Sequence, residues 1–152
     1  MGGRVYREEI FLIMESESYQ FIDANVIMYS LGGPHPLRDP CRVVLDRIKH
    51  GIIRVVTNTE VLQEILYRYF SVKRYSSGEL AYTSLVEMCT KILPVTLEDT
   101  NRALNLLKDN PDITSRDAIH AATMINNGIK DIFSADPHFD LIPEIRRLHP
   151  GG

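Results

Sequence analysis

The sequence predicts one α/β domain in which a parallel β-sheet is sandwiched between α-helices. Three observations predict it. Short apolar runs rich in β-branched residues alternate along the chain with amphipathic stretches of helical period. Several of these runs, such as Ile52 to Thr57, are too apolar to have a wet face, as in a sheet covered on both sides. Finally, 152 residues with 44% hydrophobic and 24% charged side chains make one domain with one core. There are no internal repeats and no low-complexity tracts.

Residues 1–18 read as an N-terminal extension, and residues 19–150 as the domain. Val5 to Met14 has the pattern of an extra N-terminal strand before Glu15-Ser16-Glu17-Ser18 breaks it, and Met14 is an alternative start. The stretch from Gln20 to Leu31, QFIDANVIMYSL, organises the rest. Phe21 and Ile22 form a short buried strand that delivers Asp23 to its C-terminal tip, and the chain passes at once into a helix. Ligands bind at such tips in open α/β sheets. Asp is also a common N-cap, so the stretch alone leaves both roles open for Asp23.

The loop GGPHP leads to Asp39-Pro40, which has the chemistry of a helix start, and Val43, Val44 and Ile48 complete a short amphipathic helix closed by Gly51. Ile52 to Thr57 is the next strand. Thr57 and Glu60 have capping-box spacing, and Val61, Leu62, Ile65, Leu66, Tyr69 and Phe70 form one stripe of a helix reaching about Arg74. Ser76 and Glu79 repeat that spacing before a helix with Tyr82, Leu85, Met88, Cys89 and Ile92 on its apolar side. Leu93-Pro94-Val95 reads as a short strand. Thr96 and Asp99 open a helix through Leu107 that ends before Asn110-Pro111. Thr114 and Asp117 open another, through Ala118, Ile119, Ala121, Ala122 and Ile125 to Gly128. Asp131-Ile132-Phe133 is a strand that runs into Asp136-Pro137, a second apolar strand tipped by a carboxylate. A last short element surrounds Arg146-Arg147-Leu148.

A formal net charge of -3 excludes nucleic-acid binding by bulk positive charge, so such a ligand needs a local basic surface or a bound cation. Cys41 and Cys89 have neither zinc-site nor disulfide spacing and are expected as free thiols in a reducing compartment. The N-terminus lacks the apolar core of a signal peptide, and no run is long enough to span a membrane. The cytoplasm is the expected location.

Parallel strands finish at one edge, so Asp23 and Asp136 are expected together there. Helix N-termini lie at the same edge and bring in Asp117. Two carboxylates ~5 Å apart repel by about 3 kcal/mol at an effective dielectric of 20, which raised pKa values or a divalent metal would relieve. Oxygen ligands at an open site favour Mg²⁺ or Mn²⁺, ions that activate water and hold phosphate oxygens.

Four segments, FIDANVIMYSL, TNTEVLQEIL, SRDAIHAA and FSADPHFD, together resemble the PIN-domain nucleases over about residues 19–150. The resemblance implies that Asp23, Glu64, Asp117 and Asp136 are the family's four acids in order. It implies a parallel sheet between helices, metal-dependent hydrolysis of RNA, and for small members of the VapC kind a partner antitoxin and a homodimer. Ala24 stands where the family often has Thr, and Ser134 where Thr is common two residues before the last acid.

The resulting expectation is a Mg²⁺- or Mn²⁺-dependent endoribonuclease, the toxin of a toxin–antitoxin pair. Asp23, Asp117 and Asp136 hold the metal, with Asp140 as a supplementary ligand or a loop residue, and Glu64 orders the attacking water. Periodicity places Glu64 off the apolar stripe and does not by itself support that role. Asn25, Arg116 and Ser134 are the candidate substrate contacts, although Asn25 can equally cap the first helix. His120 reads as a packing histidine with a ligand role as the alternative, and His138 as a surface residue. Lys73-Arg74 and Arg146-Arg147 are further candidates for phosphate. Two rival readings are a PIN-like module that binds RNA or a partner protein with little catalysis, and a phosphotransfer domain.

Overall fold

The structure, a computed structural model, describes residues 19–152. The N-terminal extension and its expected strand lie outside the described residues. Five strands form one fully parallel sheet in the order β3-β2-β1-β4-β5. In chain order these are β1 (Tyr19–Ile22), β2 (Arg54–Asn58), β3 (Lys91–Leu93), β4 (Asp131–Phe133) and β5 (Arg146–Leu148). Helices α1 (Ala24–Leu31), α2 (Arg38–Lys49), α3 (Thr59–Phe70), α4 (Tyr75–Met88), α5 (Leu97–Asp109) and α6 (Ser115–Asn126) connect them, with a 3-10 turn over Pro137–Leu141.

The chain moves outward from β1 through β2 to β3 and then returns to place β4 on the other side of β1. The strand order therefore reverses between β1 and β4, where a parallel sheet opens a crevice at its C-terminal edge. Phe21 pairs with Val56 on one side and Ile132 on the other, and the Asp23 N–H donates to the Phe133 carbonyl at 3.0 Å. Asp23 thus sits at the mouth of that crevice.

Burial explains the short strands. Phe21, Ile22, Val55 and Ile132 are sealed from solvent on both faces of the sheet. Ala118, Ala121 and Ala122 of α6 are fully buried, and their small side chains let α6 lie close on its neighbours. Gly78 of α4 has the same purpose against α3, because a Cβ there would fall 2.8 Å from the Tyr69 Cβ.

Two of the four capping boxes read from the sequence form as expected, at Thr96–Asp99 and Thr114–Asp117. The other two do not. Asn58 caps α3 in place of Thr57, whose hydroxyl instead donates to the Ile22 carbonyl at 2.9 Å and ties β2 to β1. Helix α4 starts at Tyr75, ahead of Ser76, without a side-chain cap, and α2 starts at Arg38 behind Leu37 without one. Strand β3 ends at Leu93, because Pro94 has no N–H for the ladder, and Val95 N–H turns to Thr59 Oγ1 at 3.1 Å. Among the described residues no helix is long and apolar enough to cross a membrane.

Candidate active site

Each acid of the site comes from a different element at the C-terminal edge of the sheet. Asp23 caps α1 from the tip of β1 and keeps its second oxygen for other partners. Its Oδ1 accepts from the Ala24 N–H at 2.8 Å as the cap of α1, while Oδ2 accepts from Ser134 Oγ at 2.7 Å and Asn25 Nδ2 at 3.2 Å. Burial pushes its carboxyl above the ordinary value, Ser134 and Ala24 pull it back, and Asp136 pushes it up again.

Asp117 is the third residue of α6 and also has a second job, accepting from the Thr114 N–H in the capping box. Burial and the nearby Asp136 carboxylate raise it to about 6. Asp136 follows β4 and caps the 3-10 turn by accepting from the His138 N–H at 3.0 Å. Glu64 on α3 is only 7% exposed, although periodicity places it off the apolar stripe. Its Oε1 meets Arg116 Nη1 at 3.1 Å and Arg68 Nη2 at 3.3 Å. Burial and Asp23 raise its carboxyl, and the two guanidiniums oppose them.

These groups line one cleft of about 570 Å³, with Met28 and Tyr29 on its apolar wall and Arg68, Arg116, His120 and His138 among the acids. Two sets of potential ligand atoms each lie within 4.8 Å of one another: Asp23, Glu64 and His120, and Asp117, Asp136 and His138. The donor set suits a hard divalent cation, since buried carboxylates held up by mutual repulsion and desolvation are relieved by positive charge.

The structure corrects three sequence expectations. Asp140 does not line the cleft; its carboxylate is exposed and taken in a fork by Arg147, at 3.0 Å from Nε and 2.8 Å from Nη2, which holds it below the usual carboxylate range. Ser134 is fully buried and cannot meet a substrate. Its hydroxyl goes to Asp23 and accepts from the Asp136 N–H at 3.0 Å, so it joins the two strand tips. His138 is no bystander, since its Nδ1 lies 2.8 Å from Asp136 Oδ1 and 3.6 Å from Asp117 Oδ2.

Asn25 reaches the cleft, but its amide is spent on Asp23, Ser134 and the Ala135 N–H. Arg116 lines the cleft as expected, paired with Glu64 and Glu60. Arg146 is committed to Asp131 by two contacts at 2.8 and 2.9 Å, and Arg74 lies over the Tyr69 ring. Sequence reasoning missed Arg68, although its position four residues after Glu64 is a pairing signal. It also missed the support behind His120, where Asn58 arrives from β2 and no local pattern could show it. Burial lowers the His120 pKa to about 4, so the ring is neutral near pH 7.

The model of the PIN domain family matches residues 21–145. Ribonuclease VapC13 of Mycobacterium tuberculosis is 34% identical over 127 residues, covering 84% of this chain and 97% of its own length. Ribonuclease VapC23 of the same species is 38% identical over 116 residues, 76% of this chain and 91% of the relative. The crystal structure of Mycobacterium tuberculosis VapC20, a sarcin–ricin loop cleaving toxin, superposes with a TM-score of 0.67 at 17% identity, over 84% of this chain and 97% of that one. VapBC2 from Rickettsia felis, bound to a DNA fragment from its promoter, gives 0.67 at 16% identity, over 86% and 97%. The fold, the order of its acids and these matches together show that the chain belongs to the PIN domain family.

Proposed function

We propose that the protein is a divalent-metal-dependent endoribonuclease that hydrolyses RNA phosphodiester bonds, and that Mg²⁺ or Mn²⁺ is its ion. The observation that carries this reading is the convergence of Asp23, Glu64, Asp117 and Asp136, from four separate elements, on one cleft at the sheet's switch point. The ribonuclease names of relatives above 30% identity support it.

Asp23, Asp117 and Asp136 would hold the ion, which when bound supplies Lewis acidity to a phosphate oxygen and to water. Glu64 takes the proton from the attacking water. The new bond joins the water oxygen to phosphorus, and the bond from phosphorus to the leaving ribose oxygen breaks. Arg68 and Arg116 neutralise Glu64 in the free protein and are placed to receive phosphate charge at the cleft mouth. Ser134 and Asn25 hold Asp23 in place.

In the same reading the protein is the toxin of a toxin–antitoxin pair and forms a homodimer. Solved relatives of the same fold are toxin–antitoxin complexes. Exposed Leu66, Tyr67, Phe70, Tyr75 and Leu80 on α3 and α4 offer apolar surface for a second copy. The test is cleavage of RNA by the purified protein with Mg²⁺ and its loss with EDTA. Asp23→Asn is expected to lose on the order of 100-fold or more in rate, since several kcal/mol of transition-state stabilisation are removed. Undiminished cleavage by that variant would sink the assignment.

A further inference from the structure

Asn58 ends β2 and caps α3, and both ends of its carboxamide are engaged. Its Oδ1 accepts from the Val61 N–H at 2.9 Å. That leaves Nδ2 facing His120 Nδ1 at 3.1 Å and Thr123 Oγ1 at 3.0 Å. The single hydroxyl hydrogen of Thr123 goes to the Ile119 carbonyl at 2.9 Å, so Oγ1 accepts from Asn58. Turning the amide round would lose the cap of α3 and set Oδ1 against a group with no hydrogen to give. His120 Nδ1 must therefore accept, and in the neutral ring the hydrogen resides on Nε2.

Asn58 and Thr123 are fully buried, so water does not compete for the hydrogen bond at Nδ1. Among the described residues no group accepts from Nε2, which leaves a buried donor unmet. The ring lines the cleft, with a ring nitrogen within 4.8 Å of carboxylate oxygens of Asp23 and Glu64. With Nδ1 bonded to Asn58, Nε2 is the ring nitrogen left free to meet the acids.

We propose that His120 is an obligate Nε2–H donor and that, with the carboxylates of Asp23 and Glu64, it seats one water oxygen, the one that attacks RNA. The proposal rests on the ribonuclease reading above. A water molecule complements this trio: it accepts from Nε2–H, donates to the two carboxylates and keeps one lone pair for phosphorus. A cation does not, because it would meet the N–H hydrogen where it needs a lone pair. The cleft is thereby divided. Asp117, Asp136 and Asp23 form its metal side, and Glu64 and His120 its water side, with Asp23 shared.

Nitrogen-15 NMR of the histidines in the native protein, metal-free and saturated with Mg²⁺, tests the donor without any variant. The expected result is a protonated Nε2 and an unprotonated Nδ1 on His120, with the same pattern after Mg²⁺. His120→Phe should lower kcat for RNA cleavage roughly ten- to hundredfold, the range for losing a group that orients an acting partner. KM for RNA and Mg²⁺ affinity by calorimetry should stay near native, and His120→Gln, which can return an N–H, should recover part of kcat. A proton on Nδ1, an Nε2 that loses its proton on Mg²⁺ addition, or Mg²⁺ affinity lost with kcat in His120→Phe would overturn the proposal. Native protein that shows the expected tautomer and cuts no RNA overturns the ribonuclease reading, and with it the water assignment, while leaving the donor. Native protein that cuts RNA with Nε2 unprotonated overturns the donor alone.

Discussion

Ser134 donates its hydroxyl to Asp23 Oδ2 at 2.7 Å across 111 positions of sequence, and accepts from the Asp136 N–H in return. One buried oxygen therefore sets the spacing of two acids on adjacent strands. Ser134→Ala should lower Mg²⁺ affinity by roughly ten- to hundredfold, as expected when a partner of a ligand is removed. It should also destabilise the fold by about 1–3 kcal/mol, because the Asp136 N–H is left without an acceptor. Ser134→Thr keeps the hydroxyl and should retain most of the affinity. Calorimetric titration and urea denaturation measure the two effects, and an Ala variant that binds Mg²⁺ like the parent would refute the linkage.

Gly78 links packing to the site in a different way. A Cβ at this position would meet the Tyr69 Cβ at 2.8 Å and the Phe70 ring at 2.9 Å, and the first of these belongs to the stem of a buried side chain. Gly78→Ala should therefore cost about 1–3 kcal/mol by overpacking, despite the better helix propensity of alanine. Since Tyr69 and Glu64 share α3, pushing that helix away should lower RNA cleavage as well. Thermal melts decide it: an unchanged or higher Tm would show that α3 and α4 part without strain.

Local chemistry made much of this molecule legible. Asp131-Ile132-Phe133 is the strand that its pattern predicts, and the Thr96 and Thr114 boxes form because each pairs a hydroxyl with an acid one helical turn away. The parallel sheet followed from apolar runs such as Val55-Val56 that have no wet face. What failed were signals with a tertiary competitor. Thr57 had capping spacing, but the Ile22 carbonyl on the neighbouring strand took its hydroxyl, and Asn58 replaced it. Ser134 looked like a substrate contact because its neighbourhood was recognised and its burial was not. Asp140 reads from the sequence as either a supplementary ligand or a loop residue, and Arg147, arriving on β5, takes its carboxylate away from the cleft. Glu64 and His120 take their roles from partners 52 and 62 positions away, Arg116 and Asn58, which no local period records.

Asp117 should contribute stability to the metal-free protein that is lost as pH rises from about 4 to 6, against an opposite contribution from His120, whose pKa is lowered to about 4. Asp117 has its carboxyl raised from 3.8 to about 6, by burial first and by Asp136. Below pH 4 the proton is bound in folded and unfolded chains alike. Between the two values the folded chain holds a proton the unfolded chain has lost, so this contribution falls as pH rises, by at most about 3 kcal/mol for a shift near two units. Asp117→Asn, which keeps an acceptor for the Thr114 N–H, should remove this contribution and raise the Tm at pH 7 in EDTA. Mg²⁺ should stabilise the parent at pH 7 far more than at pH 4, and the variant little at either. Urea denaturation of both proteins across pH 4–7 measures this, and a stability of the parent relative to Asp117→Asn that does not fall over that window would disprove it.

Arg116 governs the state of Glu64. Its Nη1 lies 3.1 Å from Glu64 Oε1 and opposes the rise in the carboxyl's pKa that burial and Asp23 cause. In the proposed reaction Glu64 must be ionised to take a proton from water, so the guanidinium would keep it competent toward lower pH. Arg116→Ala should move the acidic limb of the kcat profile to higher pH, because the raising influences of burial and Asp23 then lose their largest opponent. At neutral pH kcat should fall by roughly tenfold or more, in line with loss of a partner that tunes an acting group. Arg116→Lys keeps the charge without the fork, and should restore the position of the limb better than it restores the maximal rate. If Arg116 served RNA binding alone, Ala and Lys would raise KM and leave the limb where it is, so the pH profile of kcat separates the two roles.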